Sequence, residues 1–153
     1  EINRQYFLLV RLIRSTIMDT RLANIFNLEN IDILDYRIAA NTLEIAGDTV
    51  VELSQSLIKS NLSKVELKKL HDFAKDMEEI QIKSIDSFIS NNRTLAIDAI
   101  SLQRNNATKI SKIRSSLESK KQISLAFFDL IYMFEKILQS WSDITDLVKP
   151  SYQ

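Results

Sequence analysis

Apolar residues recur every three or four positions through most of the chain, the spacing of an α-helix with one buried side. The pattern predicts five long helices and one short helical turn. Their approximate bounds are 2–18, a turn through 26, 32–60, 63–91, 94–117 and 121–148. Asp32 and Ser63 are the predicted N-caps of the second and third long helices, and Glu66 completes a capping-box signature with Ser63. Pro150 is predicted to end the last helix.

Composition sharpens the fold class. The 153 residues include one Gly, one Pro and no Cys. Tight hairpin turns favour residues that accept positive φ, above all Gly, so an extensive β-sheet is excluded. We therefore predict an all-α fold, a single-domain antiparallel helical bundle that spans residues 1–153.

Charge and hydropathy exclude several classes. The formal net charge is zero, which argues against direct nucleic-acid binding by this domain. No apolar run approaches the roughly 20 residues that a spanning helix needs, so no transmembrane segment is predicted. The absence of Cys excludes disulfides and thiolate metal sites and fits a cytoplasmic protein. The chain begins in mid-helix by its pattern, and we expect it to be part of a longer protein.

An internal repeat organises the predicted helices. A shift of 91 positions superposes the predicted core series of the second long helix on that of the last helix. The first series is Tyr36, Ala39, Leu43, Ala46, Val50, Leu53 and Leu57, and the second is Phe127, Leu130, Phe134, Ile137, Trp141, Ile144 and Val148. The shift also places Glu44 on Glu135. The predicted pseudo-repeats span about 1–60 and 63–148.

Three carboxylates form the strongest candidate for chemistry. Glu44, Asp48 and Glu52 follow one another at four-residue steps, so they lie along one stripe of the helix, where like charges repel. A divalent cation or an arginine from a facing helix would offset this repulsion, and an acidic solvated stripe is the plainer interpretation. The solitary Gly47 indicates that another helix or a ligand approaches the backbone closely, with tight helix packing as the simpler explanation.

A family resemblance rests on these residues. The run from Glu44 to Asp48, Glu-Ile-Ala-Gly-Asp, followed by Glu52, resembles the Glu-Arg-Ile-Gly-Asp-x-x-x-Asn/Asp signature of the PhoU family of phosphate-uptake regulators. The start of the chain, Glu-Ile-Asn-Arg, is similar to the family's Glu-Ile-Asp-Arg helix. Residues 63–100 resemble the first helix of the family's second repeat. The resemblance covers essentially the whole chain and lacks the first helix of the first repeat.

The resemblance implies a fold of tandem three-helix bundles, here partly truncated, and a possible metal site for iron or another divalent ion. The implied ligands are Glu44, Asp48 and Glu52 in the first copy and Glu135 and Asp143 in the second. No cofactor is otherwise predicted.

Departures from the family pattern weaken both sites. Asn3 stands where the facing helix has an aspartate, Ile45 replaces the signature arginine, and Gln139 replaces the second aspartate.

The function implied is regulation of phosphate uptake or phosphate signalling through protein contact, without enzymatic activity. The implied partners are a phosphate transporter component or a signalling kinase, and a homodimer is expected. The alternative is a dimerisation or metal-sensing module of a transcriptional regulator with an upstream AbrB-like DNA-binding domain, as in some archaeal relatives. A carboxylate-metal hydrolase is the enzyme alternative.

The remaining features have plainer interpretations. His71, the one histidine, is expected on a polar flank. Phe128 and Tyr132 lie beside the predicted core stripe of the last helix, where they would pack or contact a partner. Residues 29–52 carry six acids and one base, and residues 104–121 carry six bases and one acid, which solvated faces or mutual attraction would explain.

Overall fold

A computed structural model describes residues 1–118 and 124–148 of the chain. Within these residues it contains six helices and no strand, which confirms the all-α prediction. The helices are α1 (Ile2–Met18), α2 (Thr20–Ile25), α3 (Asn30–Lys59), α4 (Lys64–Ser90), α5 (Arg93–Glu118) and α6 (Leu125–Thr145).

Two capping boxes set the starts of the central helices. The Ser63 hydroxyl accepts a hydrogen bond from the Glu66 amide at 3.3 Å, and a Glu66 carboxylate oxygen accepts one from the Ser63 amide at 2.9 Å, as predicted. The start of α3 differs from the prediction. Glu29 is the N-cap, and Asp32 lies at the third helical position, where its carboxylate accepts from the Glu29 amide at 2.8 Å. An acidic residue at that position satisfies a helix-terminal amide as an N-cap side chain would.

The last helix is described from Leu125, with Ser124 as its N-cap. The Ser124 hydroxyl accepts from the Phe127 amide at 3.3 Å. The predicted start at Lys121 and the predicted stop at Pro150 lie outside the described residues.

The six helices form a three-helix bundle with a helical hairpin packed on its side. In the bundle, α4, α5 and α6 each contact the other two. Helix α3 packs along α6, and α1 packs on α3. Of the described helices, only α2 and α3 contact α1. Helix α6 is therefore the centre of the molecule, and α1 is at its edge.

The hydrophobic core follows this arrangement. Eight apolar residues of α6 are at most 7% exposed because α3, α4 and α5 surround the helix. The Phe73 and Phe134 rings join α4 to α6, with centroids 5.9 Å apart. The predicted core residues of the last helix are confirmed for Phe127, Leu130, Phe134, Ile137, Trp141 and Ile144.

A small polar network lies inside the three-helix bundle. The Gln103 amide of α5 donates to the Thr145 hydroxyl at 3.1 Å and to the Ser84 hydroxyl at 3.3 Å. The Thr145 hydroxyl donates to the Trp141 carbonyl at 2.7 Å. All three polar side chains are at most 5% exposed, so the network ties one helix to each of the other two without access to water.

The predicted core series of α3 is only partly buried. Ala39 and Ala46 face α6 and are buried, but Tyr36, Leu43 and Val50 are 39–45% exposed. The prediction was wrong for these three positions. They lie beside the α6-facing stripe, and no described helix covers them completely.

Candidate functional site

The signature carboxylates lie in the middle and second half of α3. Glu44 is half-buried, and Asp48 and Glu52 are exposed. Among the described residues, none of the three makes a hydrogen bond or a salt bridge through its side chain. Within residues 1–118 and 124–148, no arginine or lysine side chain forms an ion pair with the stripe.

At Gly47, a side chain of α1 lies very close to the backbone of α3. A Cβ built on Gly47 would lie 2.7 Å from Cδ1 of Ile2, well inside ordinary contact distance. The φ of Gly47 is not positive, so the backbone itself does not require glycine. The predicted close approach is confirmed, and the approaching group is a side chain of a neighbouring helix, the simpler of the two explanations. This contact also shows that the Glu-Ile-Asn-Arg segment at the start of the chain lies against α3.

The structure does not gather the carboxylates into a metal site. No group of three or more His, Asp or Glu side chains that could hold a metal ion occurs in residues 1–118 and 124–148. Asn3 on the facing helix is exposed and provides no carboxylate. Metal binding by Glu44, Asp48 and Glu52 stays a prediction without a preformed ligand set.

The second-copy residues have protein partners instead. Both Glu135 carboxylate oxygens accept from Nη1 of Arg114, at 3.0 and 2.9 Å. Oδ1 of Asp143 accepts from the Gln139 amide at 2.7 Å. These contacts give both carboxylates a structural role, with Arg114 of the basic segment holding α5 against α6.

The aromatic flank of α6 divides into two parts. The Arg114 guanidinium lies 5.5 Å from the centroid of the Phe128 ring, a cation–π arrangement that partly covers this ring. Tyr132, one turn further on, is 56% exposed. Packing thus explains Phe128, and Tyr132 remains on the surface. His71 is exposed on α4, as predicted.

Apolar side chains are exposed mainly on the hairpin of α1 and α3. On one face of α3, Ile31, Leu34, Ile38 and Ile45 are 40–53% exposed and share one stripe. Sequence periodicity located apolar stripes but did not show which of them another helix would cover. The one indication in the sequence was the excess of apolar residues on α1 and α3, more than a single buried stripe needs.

Two clefts accompany these surfaces. The larger one, about 480 Å³, lies between α5 and α6, and Arg104, Glu135, Gln139 and Asp146 are among its lining residues. Its lining mixes both charges with polar groups. The smaller cleft, about 290 Å³, lies between α1, α2 and α3 and is lined almost entirely by apolar side chains.

The clearest perturbed titration is at the start of α2. The Arg21 guanidinium donates to both Asp19 carboxylate oxygens at 3.0 Å, and this contact lowers the pKa of Asp19 below its usual 3.8 and raises that of Arg21. The Arg21 amide also donates to Asp19, the N-cap of α2. Both groups are on the surface, so this pair is a helix cap, not an acid–base centre.

Within the described residues, the fold is an all-α bundle in which the hairpin of α1 and α3 keeps an exposed apolar surface. Compared with known proteins, the chain matches no family model, no curated protein and no solved structure. The resemblance to the PhoU family therefore rests on the residues quoted above. Among the described helices, none combines the length and the apolar character required to cross a bilayer.

Proposed function

We propose that the chain is a PhoU-type regulator of phosphate uptake or phosphate signalling that acts through protein contact. Its partner in this proposal is a phosphate transporter component or a signalling kinase, and the protein acts in the cytoplasm. The observation that carries the proposal is the exposed apolar surface of α1 and α3, the helices with the family-like segments. Contiguous apolar surface of this kind is typical of protein interaction sites.

Two further observations support contact over bond-making chemistry. The side chains of Glu44 and Asp48, the carboxylates most similar to a family site, form no hydrogen bond or ion pair with another described residue. Those at the second copy, Glu135 and Asp143, are engaged by Arg114 and Gln139. A general acid or base needs a neighbour that tunes it and a substrate within reach.

The proposal is tested in the organism that encodes the protein. We expect deletion of the gene to change the uptake of radiolabelled phosphate when phosphate is abundant, because a regulator of uptake matters most when uptake should be reduced. Wild-type protein should restore the original rate. The double variant Ile38→Glu/Ile45→Glu, which places charge on one exposed α3 face, should not restore it at equal abundance.

Ser54→Glu is the matched control. Ser54 is exposed on the same helix, so this variant adds a charge without replacing an apolar surface residue. Unchanged phosphate uptake and unchanged phosphate-responsive gene expression after deletion would refute the proposal. A homodimer stays a separate prediction, which sedimentation measures directly.

A further inference from the structure

Helix α3 has an exposed seam with the spacing of a helix–helix contact. Its members follow one another at alternating three- and four-residue steps, the repeat that lines up the side chains of two paired helices. The four apolar members are 40–53% exposed. The two polar members, Asn41 and Asp48, are exposed as well. We define the α3 seam by Ile31, Leu34, Ile38, Asn41, Ile45 and Asp48.

The seam lies on the opposite side of α3 from the surface that the internal repeat assigns to a covering helix. In the second half of the chain α4 packs on α6 at Phe134, whose ring centroid lies 5.9 Å from that of Phe73. A shift of 91 positions places Leu43 on Phe134. Each residue turns a helix by about 100°, so Ile38 and Ile45 lie about 140° and 160° around α3 from Leu43. A helix that covers Leu43 as α4 covers Phe134, whatever segment it comes from, therefore leaves the seam exposed.

The centre of the seam is apolar only in the first half of the chain. The same shift places Ile38 on Asp129 and Ile45 on Lys136, so the equivalent face of α6 is charged. A helix at this place in the repeat does not need apolar side chains there to pack within the chain. The isoleucines of α3 therefore indicate a further contact.

Two opposite charges flank the seam on its α1 side. The Arg37 guanidinium lies 5.5 Å from the centroid of the Tyr6 ring of α1, and Glu44 follows two helical turns later on the same edge. Neither side chain forms an ion pair with another described residue. About 10 Å of helix separates the two positions, so they do not pair within one copy. Both charges are available to a second molecule.

A second α3 helix in antiparallel orientation matches the seam. In one register, Leu34 lies opposite Ile45 of the second copy, and Ile38 lies opposite Asn41 of the second copy. The two-fold axis repeats both pairs, so all the central apolar residues meet the facing helix. The two copies of Asn41 lie on either side of the axis, where their amides can hydrogen-bond to each other.

Charge selects this register and this orientation. It places Arg37 opposite Glu44 of the second copy, and the two-fold axis repeats the pair in the reverse sense. A shift by one heptad would oppose Arg37 to Arg37 or Glu44 to Glu44. Parallel pairing would oppose Asp48 to Asp48. The surface is thus complementary to itself in one arrangement, as an isologous interface requires.

We propose that two copies of this chain form a homodimer through their α3 seams, antiparallel, with Arg37 of each copy paired with Glu44 of the other. The inference goes beyond the proposed function and does not depend on what the protein regulates. It assigns one part of the exposed apolar surface to a second copy and leaves the rest of that surface to a partner protein.

Sedimentation of the wild-type protein and two matched variants is the first test. We expect a wild-type dimer. Ile38→Glu should raise the dimer dissociation constant at least about a hundredfold, because the two-fold axis places the new charge in the apolar seam twice. Leu43→Glu is the control, since Leu43 and Ile38 are both 40% exposed on α3 and lie on opposite sides of it. This variant should remain a dimer, and circular dichroism should show that all three proteins are equally helical.

Charge reversal tests the ion pair and the register. Arg37→Glu and Glu44→Arg should each weaken the dimer by about tenfold or more, because each opposes like charges twice. The double variant Arg37→Glu/Glu44→Arg should recover most of the affinity. Glu44→Arg does not restore the contact of Arg37 with Tyr6, so recovery reports the pair between copies and not packing within one copy.

Cross-linking tests the orientation. The chain contains no cysteine, so Leu34→Cys and Ile45→Cys each carry a single thiol. In the antiparallel dimer, a short bismaleimide should link the two variants to each other after subunit exchange. It should not link Ile45→Cys to itself, because the two copies of that position lie about 16 Å apart along the helices.

Three results would overturn the inference. The first is a wild-type protein that stays monomeric up to about 100 μM, which would leave no dimer of useful affinity. The second is a dimer that Leu43→Glu dissociates and Ile38→Glu does not, since the second copy would then lie on another surface. The third is cross-linking of each cysteine variant only to itself, the pattern of parallel helices.

The outcome is separable from the proposed function. A dimer that Ile38→Glu dissociates, in a protein whose deletion gives no phosphate phenotype, would retain the α3 seam and reject the regulator. A phosphate phenotype together with a monomeric wild-type protein would do the reverse.

Discussion

Replacing Gly47 by alanine tests why the one glycine of this chain is inside a helix. In the interior of a helix, alanine is more favourable than glycine by about 1 kcal/mol. The backbone at Gly47 has no positive φ, so alanine brings no backbone strain. The added Cβ would lie 2.7 Å from Cδ1 of Ile2, however, and that side chain must move about 1 Å to reach ordinary contact distance.

The two effects nearly cancel. Ile2 is 48% exposed and begins α1, so its side chain can rotate away at a cost of roughly 0.5–1.5 kcal/mol. We expect Gly47→Ala to change the free energy of unfolding by less than about 0.5 kcal/mol. In an Ile2→Ala background the obstacle is absent, and Gly47→Ala should stabilise by about 1 kcal/mol, or roughly 2–4 °C in Tm.

The assay is urea unfolding followed by circular dichroism and by the fluorescence of the buried Trp141. Gln55→Ala and Gln55→Gly give the alanine–glycine difference at an exposed position of the same helix. A coupling free energy of about 0.5–1 kcal/mol between positions 2 and 47 is expected. If Gly47→Ala has the same effect in the wild-type and Ile2→Ala backgrounds, contact with α1 is not why glycine is found there.

Three further predictions concern the bundle, the α2 cap and the carboxylate stripe. Thr145→Val leaves the Gln103 amide with one hydroxyl partner at 3.3 Å, so we expect a loss of about 1–3 kcal/mol in urea unfolding, and Gln103→Leu/Thr145→Val should recover much of it. The hydrogen bonds from Arg21 hold the pKa of Asp19 below 3.8, so the stability that this cap contributes is fully present above pH 3.8 and is lost as the pH falls through the folded pKa. A carboxyl NMR titration should show that Arg21→Gln raises the Asp19 pKa. Addition of Mn²⁺ to chelator-treated protein should leave Tm unchanged because no three-ligand group is present in the described residues; a rise that Asp48→Asn abolishes would instead identify a metal ligand.

Periodicity predicted the helices well because each long helix buries a continuous apolar stripe. The predicted first helix has the observed bounds, Ile2–Met18, and the Ser63 and Glu66 pair marks the start of α4 as expected. The predicted start of α3, Asp32, lies two residues after the observed start, Asn30. Asp32 does cap the helix, but it does so from the third helical position, where its carboxylate accepts from the Glu29 amide. Sequence patterns therefore predict a helix end when the contacts that stabilise it lie within a few residues along the chain.

The features that sequence reasoning missed depend on distant partners. Gln103 is polar, yet it is buried because Ser84 and Thr145, 19 and 42 residues away, satisfy its amide. Arg114 and Glu135 are separated by 21 residues, so their pairing follows from how α5 meets α6. Periodicity gives the direction of each stripe but not the helix that covers it.

The size of the α3 side chains is one difference between the two predicted pseudo-repeats. Where α6 has Leu130 and Ile137, the 91-position shift gives α3 the smaller Ala39 and Ala46, all four of them buried. Small residues on one helix let the large residues of its neighbour pack closely, so α3 is shaped to lie against α6.

Helix α1 buries fewer apolar side chains than the other long helices do. Its buried residues are Val10, Ile13 and Thr16, and its main contact is with α3. With few buried apolar contacts, α1 is expected to open locally at a lower free energy than α6. Under the proposed function, a partner protein that contacts the exposed apolar surface of α1 and α3 together would stabilise the least supported of the long helices. Partner binding and the ordering of α1 would then be thermodynamically coupled, which is a physical means of transmitting occupancy.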